Sequence, residues 1–177
     1  MFVREWMSSP AITIGSSNTA KGTLEFMEAR KIRRLPVVEG DSLVGIVTKS
    51  DLLARKPKRD KSVQDVMARS VATAAPDDTL ECAAQIMLQG KISGLPVVEE
   101  NKVIGIITES DLFRALCAML GIGEASARIV MTVPGDQDLL GAISSKLQGK
   151  ELRSMATYRN LFQNRWEVAL RVRSLER

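Results

Sequence analysis

The sequence predicts an α/β fold in which one unit occurs twice and a smaller segment follows. The main observation is an internal repeat, at an offset of 60 residues and without gaps, in a chain of 177 residues. The Leu-Pro-Val-Val and Gly-Ile-(Val/Ile)-Thr-x-Ser-Asp stretches at residues 35–38 and 45–51 return at 95–98 and 105–111. Short β-branched runs alternate with stretches of helical spacing, which indicates mixed α/β structure. Two copies are too few for a solenoid, so we expect the halves to pack on each other.

Composition is typical of a globular protein that does not cross a membrane. Apolar residues make up 45% and charged residues 26% of the chain. No apolar run reaches the ~18 residues of a membrane span, and the first residues do not resemble a signal peptide. Cys82 and Cys117 lack metal or redox spacing and are interpreted as small buried hydrophobes in a reducing cytoplasm. The cysteines therefore favour a cytoplasmic protein. Because histidine is absent, the usual general base is missing, and we expect that the protein is not an enzyme.

The net charge of +4 is concentrated at the end of the chain. Residues 1–124 carry 16 acidic and 16 basic side chains, whereas nine basic residues accompany five acidic ones beyond residue 125. A basic, proline-containing stretch at residues 55–61 predicts an exposed linker between the halves. Both features are interpreted first as solvated surface. Nucleic-acid binding is the lesser alternative for the tail, and a basic lip that attracts phosphate is the alternative for the linker.

Each half is predicted to run strand, helix, strand, strand, helix. In the first half we expect a brief strand at residues 10–14, a helix with N-cap oxygens at 16–19 and an end near Lys31, strands at 35–39 and 43–47, and a helix capped by Ser50 and Asp51. In the second half we expect a strand at 71–74, a helix from Asp78 or Thr79 to Gly90, a hairpin turn at Glu100-Asn101, and a helix from Ser110-Asp111 to Leu120. Gly121 and Gly123 mark a predicted boundary.

The last segment predicts a small β-α-β-β unit. We expect strands at residues 128–133, 151–158 and 167–172, with a helix around Leu139–Leu147 that ends at Gly149. Such a unit leaves a helix face and a sheet edge without partners inside the chain. This favours pairing with another chain.

The candidate chemistry lies where the last strand of each half meets the following helix. The amides of a new helix and its positive N-terminal end favour an anion, so phosphate can bind near Thr48 and Ser50. A carboxylate at Asp51 can accept hydrogen bonds from both hydroxyls of a ribose. The second copy offers the equivalent residues Thr108, Ser110 and Asp111. The structural alternative is that these residues only cap helices, because duplication copies caps as faithfully as ligand groups.

The residues before each Leu-Pro differ between the copies. Arg33 and Arg34 could donate bidentate hydrogen bonds to a phosphate, whereas Ser93 and Gly94 would let the backbone approach a base. The alternative is that both arginines are solvated at the end of a helix.

The duplicated pattern, over about residues 1–120, resembles a tandem pair of cystathionine beta-synthase (CBS) domains, a Bateman module. The resemblance implies units at residues 1–60 and 61–122, packed sheet to sheet with pseudo-two-fold symmetry. It implies two clefts that bind adenosyl ligands such as AMP, ADP, ATP or S-adenosylmethionine, with or without Mg²⁺, and no required cofactor. A homodimer of modules in a flat disc and an unknown effector protein are the implied partners.

The resemblance also implies a role for each matching residue. It places Asp51 and Asp111 on ribose hydroxyls, Thr48, Ser50, Thr108 and Ser110 near phosphate or ribose, Arg33 and Arg34 near phosphate, and Ile12, Thr13, Ala72 and Thr73 beside adenine. Ser93 and Gly94 depart from a symmetric module, so we expect unequal affinity at the two clefts.

Residues 126–177 resemble part of an ACT domain, a small ferredoxin-like β-α-β-β-α-β regulatory fold, without its last helix and strand. A CBS pair with this tail resembles bacterial regulatory proteins of the acetoin-utilisation type, and the start at residues 3–7 is similar to that group. The family's Asp-x-Pro-Gly-x-Leu loop is altered, since Asp138 stands about where glycine is expected after Pro134-Gly135. We therefore expect the tail to dimerise rather than to bind an amino acid.

The first hypothesis is a non-catalytic sensor that binds an adenine nucleotide and transmits the change to a partner. The second is an interaction module with empty clefts that acts by oligomerising. The third, less favoured, is a nucleic-acid binder that uses residues 55–61 and the basic tail.

Overall fold

The computed structural model describes residues 1–54, 61–147 and 149–173, and the linker predicted at 55–61 lies, except for Lys61, outside the described residues. The chain divides into two compact units, Met1–Leu112 and Phe113–Arg177. The first unit contains the repeat. The second contains the predicted β-α-β-β segment.

The first half of the repeat follows the predicted order. It contains β1 (Ile14–Gly15), α1 (Ala20–Arg30), β2 (Arg34–Glu39), β3 (Ser42–Thr48) and α2 (Lys49–Ala54). Thr19 caps α1 by accepting a hydrogen bond from Gly22 N, and Lys31 ends it in the left-handed conformation with φ 56°. β1 pairs parallel to β2, and β2 and β3 form an antiparallel hairpin.

The second half repeats these elements with a longer final helix. It contains α3 (Leu80–Gly90), β4 (Gly94–Glu99), β5 (Lys102–Thr108) and α4 (Glu109–Met119). The two hairpins join through one antiparallel register pair, Ser42 with Lys102, which gives a five-stranded sheet of order β1-β2-β3-β5-β4. A mixed α/β architecture built from a repeated unit is thereby confirmed.

The segment before each half docks on the other half. Ala68 exchanges two backbone hydrogen bonds of 2.9 Å with Ile46 of the first half. Ser8 makes the equivalent exchange with Ile106 of the second half, at 2.9 and 3.0 Å. The short 3₁₀ turns Val3–Glu5 and Val63–Asp65 also form backbone hydrogen bonds with the opposite half. The two halves therefore exchange their leading segments.

This exchange also determines what fills the cores. Val63, Val66 and Met67 precede the second half, yet they pack in the first-half core with Met27 and Leu52. The core of the first half is therefore incomplete without the segment that precedes the second half.

The second unit contains β6 (Ser126–Pro134), α5 (Leu139–Leu147), β7 (Leu152–Asn160) and β8 (Arg165–Arg173). Its antiparallel sheet has the order β6-β8-β7. Val133, Val168 and Leu170 form a core with Ile143 of α5, because alternate residues of each strand face the helix. The predicted β-α-β-β order is present.

Several local predictions are wrong. The strand predicted at 10–14 is limited to Ile14–Gly15, and that at 71–74 to a single bridge from Ala74 to Val97. Ile12, Thr13, Ala72 and Thr73 therefore precede the strand pairing instead of forming part of it. The reason is that only the last residues of each run reach β2 or β4.

The predicted end of α3 and the predicted burial of the cysteines also need correction. α3 is ended by Lys91, at φ 50°, and Gly90 is its last helical residue. Cys82 is exposed, because Ala83 and Met87 occupy the core-facing side of α3, and Cys117 on α4 is half-buried.

We predict that Gly45→Ala lowers the free energy of unfolding by about 1–3 kcal/mol, as overpacking does. A Cβ at Gly45 would lie 2.5 Å from Met67 Sδ and 2.9 Å from the carbonyl oxygen of Ala68, the segment that crosses from the other half. Urea denaturation of the purified chain measures the change.

Gly90→Ala is the matched control, since its Cβ would meet only the Ile92 side chain, at 3.3 Å or more. We expect the control to change stability by less than about 1 kcal/mol. Equal destabilisation by the two variants would show that the crossed segment does not pack tightly on β3.

Candidate functional site

A cavity of about 510 Å³ lies in the first unit and is lined by both halves of the repeat. The first half and its leading segment contribute Ser8, Pro10, Ile12, Lys31, Ile32, Arg33, Arg34 and Leu35. The second half contributes Ser93, Ile106, Thr108, Glu109, Ser110 and Asp111. The volume suits a small organic ligand.

The cavity brings together half of the predicted site residues. Ile12, Arg33, Arg34, Ser93, Thr108, Ser110 and Asp111 all line it. Thr13, Gly94, Thr48, Ser50, Asp51, Ala72 and Thr73 are not in its lining. Of these, Thr48, Ser50 and Asp51 form the equivalent strand-to-helix corner of the first half.

The sequence reasoning missed seven lining residues. They are Ser8, Pro10, Lys31, Ile32, Leu35, Ile106 and Glu109. Glu109 occupies the variable position of the repeated Thr-x-Ser-Asp motif. The difference between the two copies at that position could have identified it as a candidate. Ser8 and Pro10 reach the cavity only because their segment crosses to β5, which no local pattern in the sequence reveals.

Thr48 and Asp51 form a reciprocal cap at the start of α2. Thr48 N and Oγ1 donate to Asp51 Oδ2 at 2.9 and 2.6 Å, and Asp51 N donates to Thr48 Oγ1 at 3.2 Å. This is the capping-box arrangement, with Thr48 as N-cap and an acidic residue three positions later. The predicted cap at Ser50-Asp51 is therefore wrong by two residues.

The second corner repeats this geometry inside the cavity. Thr108 N and Oγ1 donate to Asp111 Oδ2 at 2.8 and 2.6 Å. Only 6% of the Asp111 surface is exposed, whereas Ser110 beside it is exposed. The helix-cap interpretation is therefore confirmed for one carboxylate oxygen, Oδ2, of each aspartate. A carboxylate has about four acceptor positions, so a helix-capping role and a ligand-binding role are compatible in general.

Arg34 extends from β2 to the second half. Its Nη2 donates to Ser93 Oγ, and its side chain lies against Gly94, the repeat counterpart of Arg34 itself. A Cβ at Gly94 would lie 2.5 Å from Arg34 Nη1 and 3.2 Å from its Cδ. The absence of a side chain at Gly94 therefore leaves room for the Arg34 side chain.

The cavity combines positive and negative side chains. Burial lowers the pKa of Arg34, Glu109 opposes this by raising that pKa, and Arg33 lowers it further. Arg34 nevertheless stays charged at neutral pH, as guanidinium groups in proteins do. The repeat counterpart of Glu109 is Lys49, whose Nζ pairs with Glu28 at 3.0 Å. The two corners therefore differ in sign at this position.

Two negative findings apply to the described part of the chain. Among residues 1–54, 61–147 and 149–173, no group of three or more His, Cys, Asp or Glu side chains could hold a metal ion. None of the helices described there is both long and apolar enough to cross a membrane.

Comparison with protein families matches residues 3–58 and 63–118 to the CBS domain. Among curated proteins, L-aspartate semialdehyde sulfurtransferase of Methanocaldococcus jannaschii is 33% identical over 114 residues, 63% of this chain and 22% of that protein. CBS domain-containing protein YhcV of Bacillus subtilis is 29% identical over 62% of this chain and 81% of its own length. The chain thus spans about a fifth of the sulfurtransferase.

Solved structures show the same similarity. The CBS domain pair of protein MJ0100, in complex with 5′-methylthioadenosine and S-adenosyl-L-methionine, has a TM-score of 0.62 and 31% identity, and the match covers 66% of this chain and 95% of that one. CBSX2 in complex with AMP has a TM-score of 0.60 and 31% identity, over 65% and 95% of the chains. A Vibrio cholerae structure named as an acetoin utilization protein, AcuB, has a TM-score of 0.64 and 32% identity, over 72% and 98%.

We predict that Thr108→Ala lowers the free energy of unfolding by about 0.5–2 kcal/mol, the usual cost of losing an N-cap. The variant removes the 2.6 Å hydrogen bond to the buried carboxylate of Asp111. Thermal unfolding without ligand measures this effect.

Ser110→Ala serves as the matched control, because Ser110 lies two residues after Thr108 in the same motif and is exposed in the cavity. Its stability should match that of the unaltered chain within about 0.5 kcal/mol. If Ser110→Ala were as unstable as Thr108→Ala, the cap would not be centred on Thr108.

Proposed function

This chain belongs to the CBS domain family, and on that premise we propose that its first unit is a non-catalytic sensor of adenosyl ligands. The observation that carries the proposal is the cavity that contains both a buried carboxylate, Asp111, and the guanidinium of Arg34. Ligand binding alters the protein's shape only if two arrangements bind the ligand unequally. The crossed segments provide elements through which such a change can pass from one half to the other.

The related structures support the choice of ligand class. The MJ0100 pair binds 5′-methylthioadenosine and S-adenosyl-L-methionine, and CBSX2 binds AMP. These ligands share an adenosine moiety and differ in what the 5′ position carries. The common adenosine is therefore the part that we transfer to this chain, as the regulatory ligand and not as a cofactor.

We assign the predicted residues to parts of this ligand. Asp111, and Asp51 in the equivalent corner, accept hydrogen bonds from the ribose hydroxyls, as a carboxylate can. Arg33 and Arg34 donate to phosphate, with Thr108 and Ser110, or Thr48 and Ser50, near phosphate or ribose. Ile12 and Thr13, and Ala72 and Thr73 in the second copy, lie beside adenine; Ser93 and Gly94 distinguish the clefts.

We further propose that the CBS units span residues 1–60 and 61–122 and pack sheet to sheet about a pseudo-two-fold axis. The reciprocal hydrogen bonds, offset by 60 residues, favour that symmetry. We propose that residues 126–177 form a partial ACT-like domain, which the β-α-β-β order favours. The protein would act in the cytoplasm, on an effector protein still to be identified.

A second candidate function is an interaction module that works as a homodimer. α4 exposes Phe113, Leu116 and Met119 at a spacing of three residues, and Leu53, the repeat counterpart of Phe113, is also exposed. Exposed apolar stripes of this kind are typical of interfaces. A dimer is compatible with ligand sensing, so only a failure of ligand binding would leave the interaction module as the whole function.

We predict that AMP or S-adenosylmethionine, at a hundred times its dissociation constant, stabilises the chain by ~2.7 kcal/mol. A change of that size raises the melting temperature by several degrees, which a thermal-shift screen detects. GTP is the matched control, because it tests whether any nucleotide binds. Mg²⁺ is included and omitted for each nucleotide.

Asp111→Asn assigns the binding to the cavity, because asparagine keeps the size and one acceptor oxygen but loses the charge. Isothermal titration should show weakened binding of the ligand that stabilised the unaltered chain. No stabilisation by any adenosyl ligand would refute the sensor proposal and leave the interaction module.

We predict that Phe113→Ser shifts the chain from dimer towards monomer in sedimentation velocity. The substitution removes an apolar side chain that is 66% exposed on α4. Leu88→Ser is the control, since Leu88 is an apolar residue that is 79% exposed on a different helix, α3. An unchanged dimer in Phe113→Ser, or an equal shift in both variants, would exclude this face of α4 as the interface.

A further inference from the structure

The turn between β7 and β8 presents two neighbouring apolar side chains to solvent. It occupies residues 161–164, beyond the ends of both strands. Leu161 is 77% exposed and Phe162 is fully exposed. Apolar side chains that protrude together from a surface are typical of a contact with another molecule.

This turn is held in one shape by hydrogen bonds at both ends. Asn160 Oδ1 accepts a hydrogen bond from Gln163 N at 3.1 Å, and Asn160 Nδ2 donates to Gln163 Oε1 at 3.2 Å. The carbonyl of Asn164 accepts a hydrogen bond of 2.8 Å from Gly135 N, which ties the turn to the loop after β6. The two apolar side chains are therefore presented by an ordered turn, which lowers the entropy that binding costs.

A cavity of about 400 Å³ lies in the same unit, on the face of the sheet that is turned away from α5. In the strand register Ala169 lies between Val130 and Ala156, and these residues alternate with those that face α5. The two alanines leave a depression in this face, and Val130 and Tyr158 beside it are exposed. The cavity is thus largely apolar and open to solvent. Its lining consists of Leu120, Arg128, Val130, Ala156, Thr157, Tyr158, Glu167, Val168 and Ala169.

The charges around the turn indicate what kind of partner fits it. Residues 160–164 are uncharged, and both flanking cations are engaged within the unit. Arg159 lies over the Trp166 ring at 5.8 Å, and Arg165 donates to Glu167 at 2.7 Å. A lipid surface or a nucleic acid is attracted chiefly by cations that can meet phosphate. An uncharged apolar turn is better suited to an apolar cavity.

The turn and the cavity of one chain do not fill each other. Phe162 follows Tyr158 by four residues on the same hairpin, and the ordered turn leaves its ring fully exposed. A second copy of the chain carries both complementary features. Two copies related by a two-fold axis can each place a turn in the cavity of the other, which gives a closed pair.

We infer that the second unit binds a second copy of this chain by reciprocal insertion of the β7–β8 turn, led by Phe162, into the cavity beside Tyr158. The inference goes beyond the proposed function, because it depends neither on a ligand of the first unit nor on α4. An aromatic side chain buries about 150–250 Å², so the two turns alone make a smaller contact than a standard interface. The association through them is therefore weak and reversible.

The test uses Tyr158, the only tyrosine of the chain, as a probe inside the cavity. A chain that carries Phe162→Ser is labelled with 3-fluorotyrosine, which gives one fluorine NMR resonance. Adding unlabelled, unaltered chain should shift this resonance, because the added turns enter the labelled cavities. Unlabelled Phe162→Ser chain should need at least about a 10-fold higher concentration for the same shift, as expected when the burial of a phenylalanine is lost.

Two controls make the readout specific to the turn and the cavity. Unlabelled Leu140→Ser removes another exposed apolar side chain of the same unit, on α5, and should act like the unaltered chain. Ala169→Phe in the labelled chain fills the depression and should abolish the shift. Thermal unfolding confirms that each variant is folded, and Val130→Arg replaces Ala169→Phe if that variant does not fold. Any contact through α4 is equal in all of these titrations.

The outcomes decide between a second copy and other partners. A shift that requires Phe162 in the added chain and an open cavity in the labelled chain supports the inference. Equal shifts with the unaltered and the Phe162→Ser chains, or no shift with either, overturn it and leave the sensor proposal and the α4 interface unaffected. Phe162-dependent sedimentation with phosphatidylserine–phosphatidylcholine vesicles, without a shift between copies, would assign the turn to a lipid surface and would also overturn it.

Discussion

The exchange of leading segments is the interaction on which the rest of the first unit depends. One segment pairs with β5 and the other with β3, each through two backbone hydrogen bonds, Ser8 with Ile106 and Ala68 with Ile46. Unpaired backbone groups are costly inside a protein, so separating the halves would expose donors and acceptors on both. It would also remove Val63, Val66 and Met67 from the first-half core. The same exchange carries Ser8 and Pro10 to the cavity, and the site therefore exists only in the paired arrangement.

The Thr-x-Ser-Asp corner has a structural role, and the proposed ligand contact depends on that role. Both threonines donate to one oxygen of the following aspartate, which starts the helix and fixes the carboxylate in a single orientation. A carboxylate ordered in this way need not lose rotational freedom when a ribose binds. The choice between a helix cap and a ligand group, which the repeat alone leaves open, is therefore not a choice between exclusive roles. The cap supplies the order that makes a ligand contact favourable.

The sequence predicts what depends on local spacing and fails where distant segments meet. The hairpins, the caps at Thr19 and Thr79 and the β-α-β-β order of the second unit follow from turn residues and periodicity, which act over a few positions. The strand predicted at residues 10–14 was too long, because strand length depends on how far β2 extends beside it. The contact from Arg34 to Ser93 spans 59 residues, and no local pattern encodes it.

In a duplicated unit, the positions at which the two copies differ can give the two halves different ligand preferences. Perfect symmetry would give two clefts with the same lining and therefore the same preference among ligands. Here the residue pairs Arg34 with Gly94 and Lys49 with Glu109 differ, although the backbone bonds around them repeat. Position 34 lies where the halves meet, so a long side chain on one copy requires a small residue on the other. Two arginines there would compete for one space and repel each other. The asymmetry is therefore a steric and electrostatic consequence of packing two copies together, and it places the charge of Arg34 in the cavity that contains Asp111.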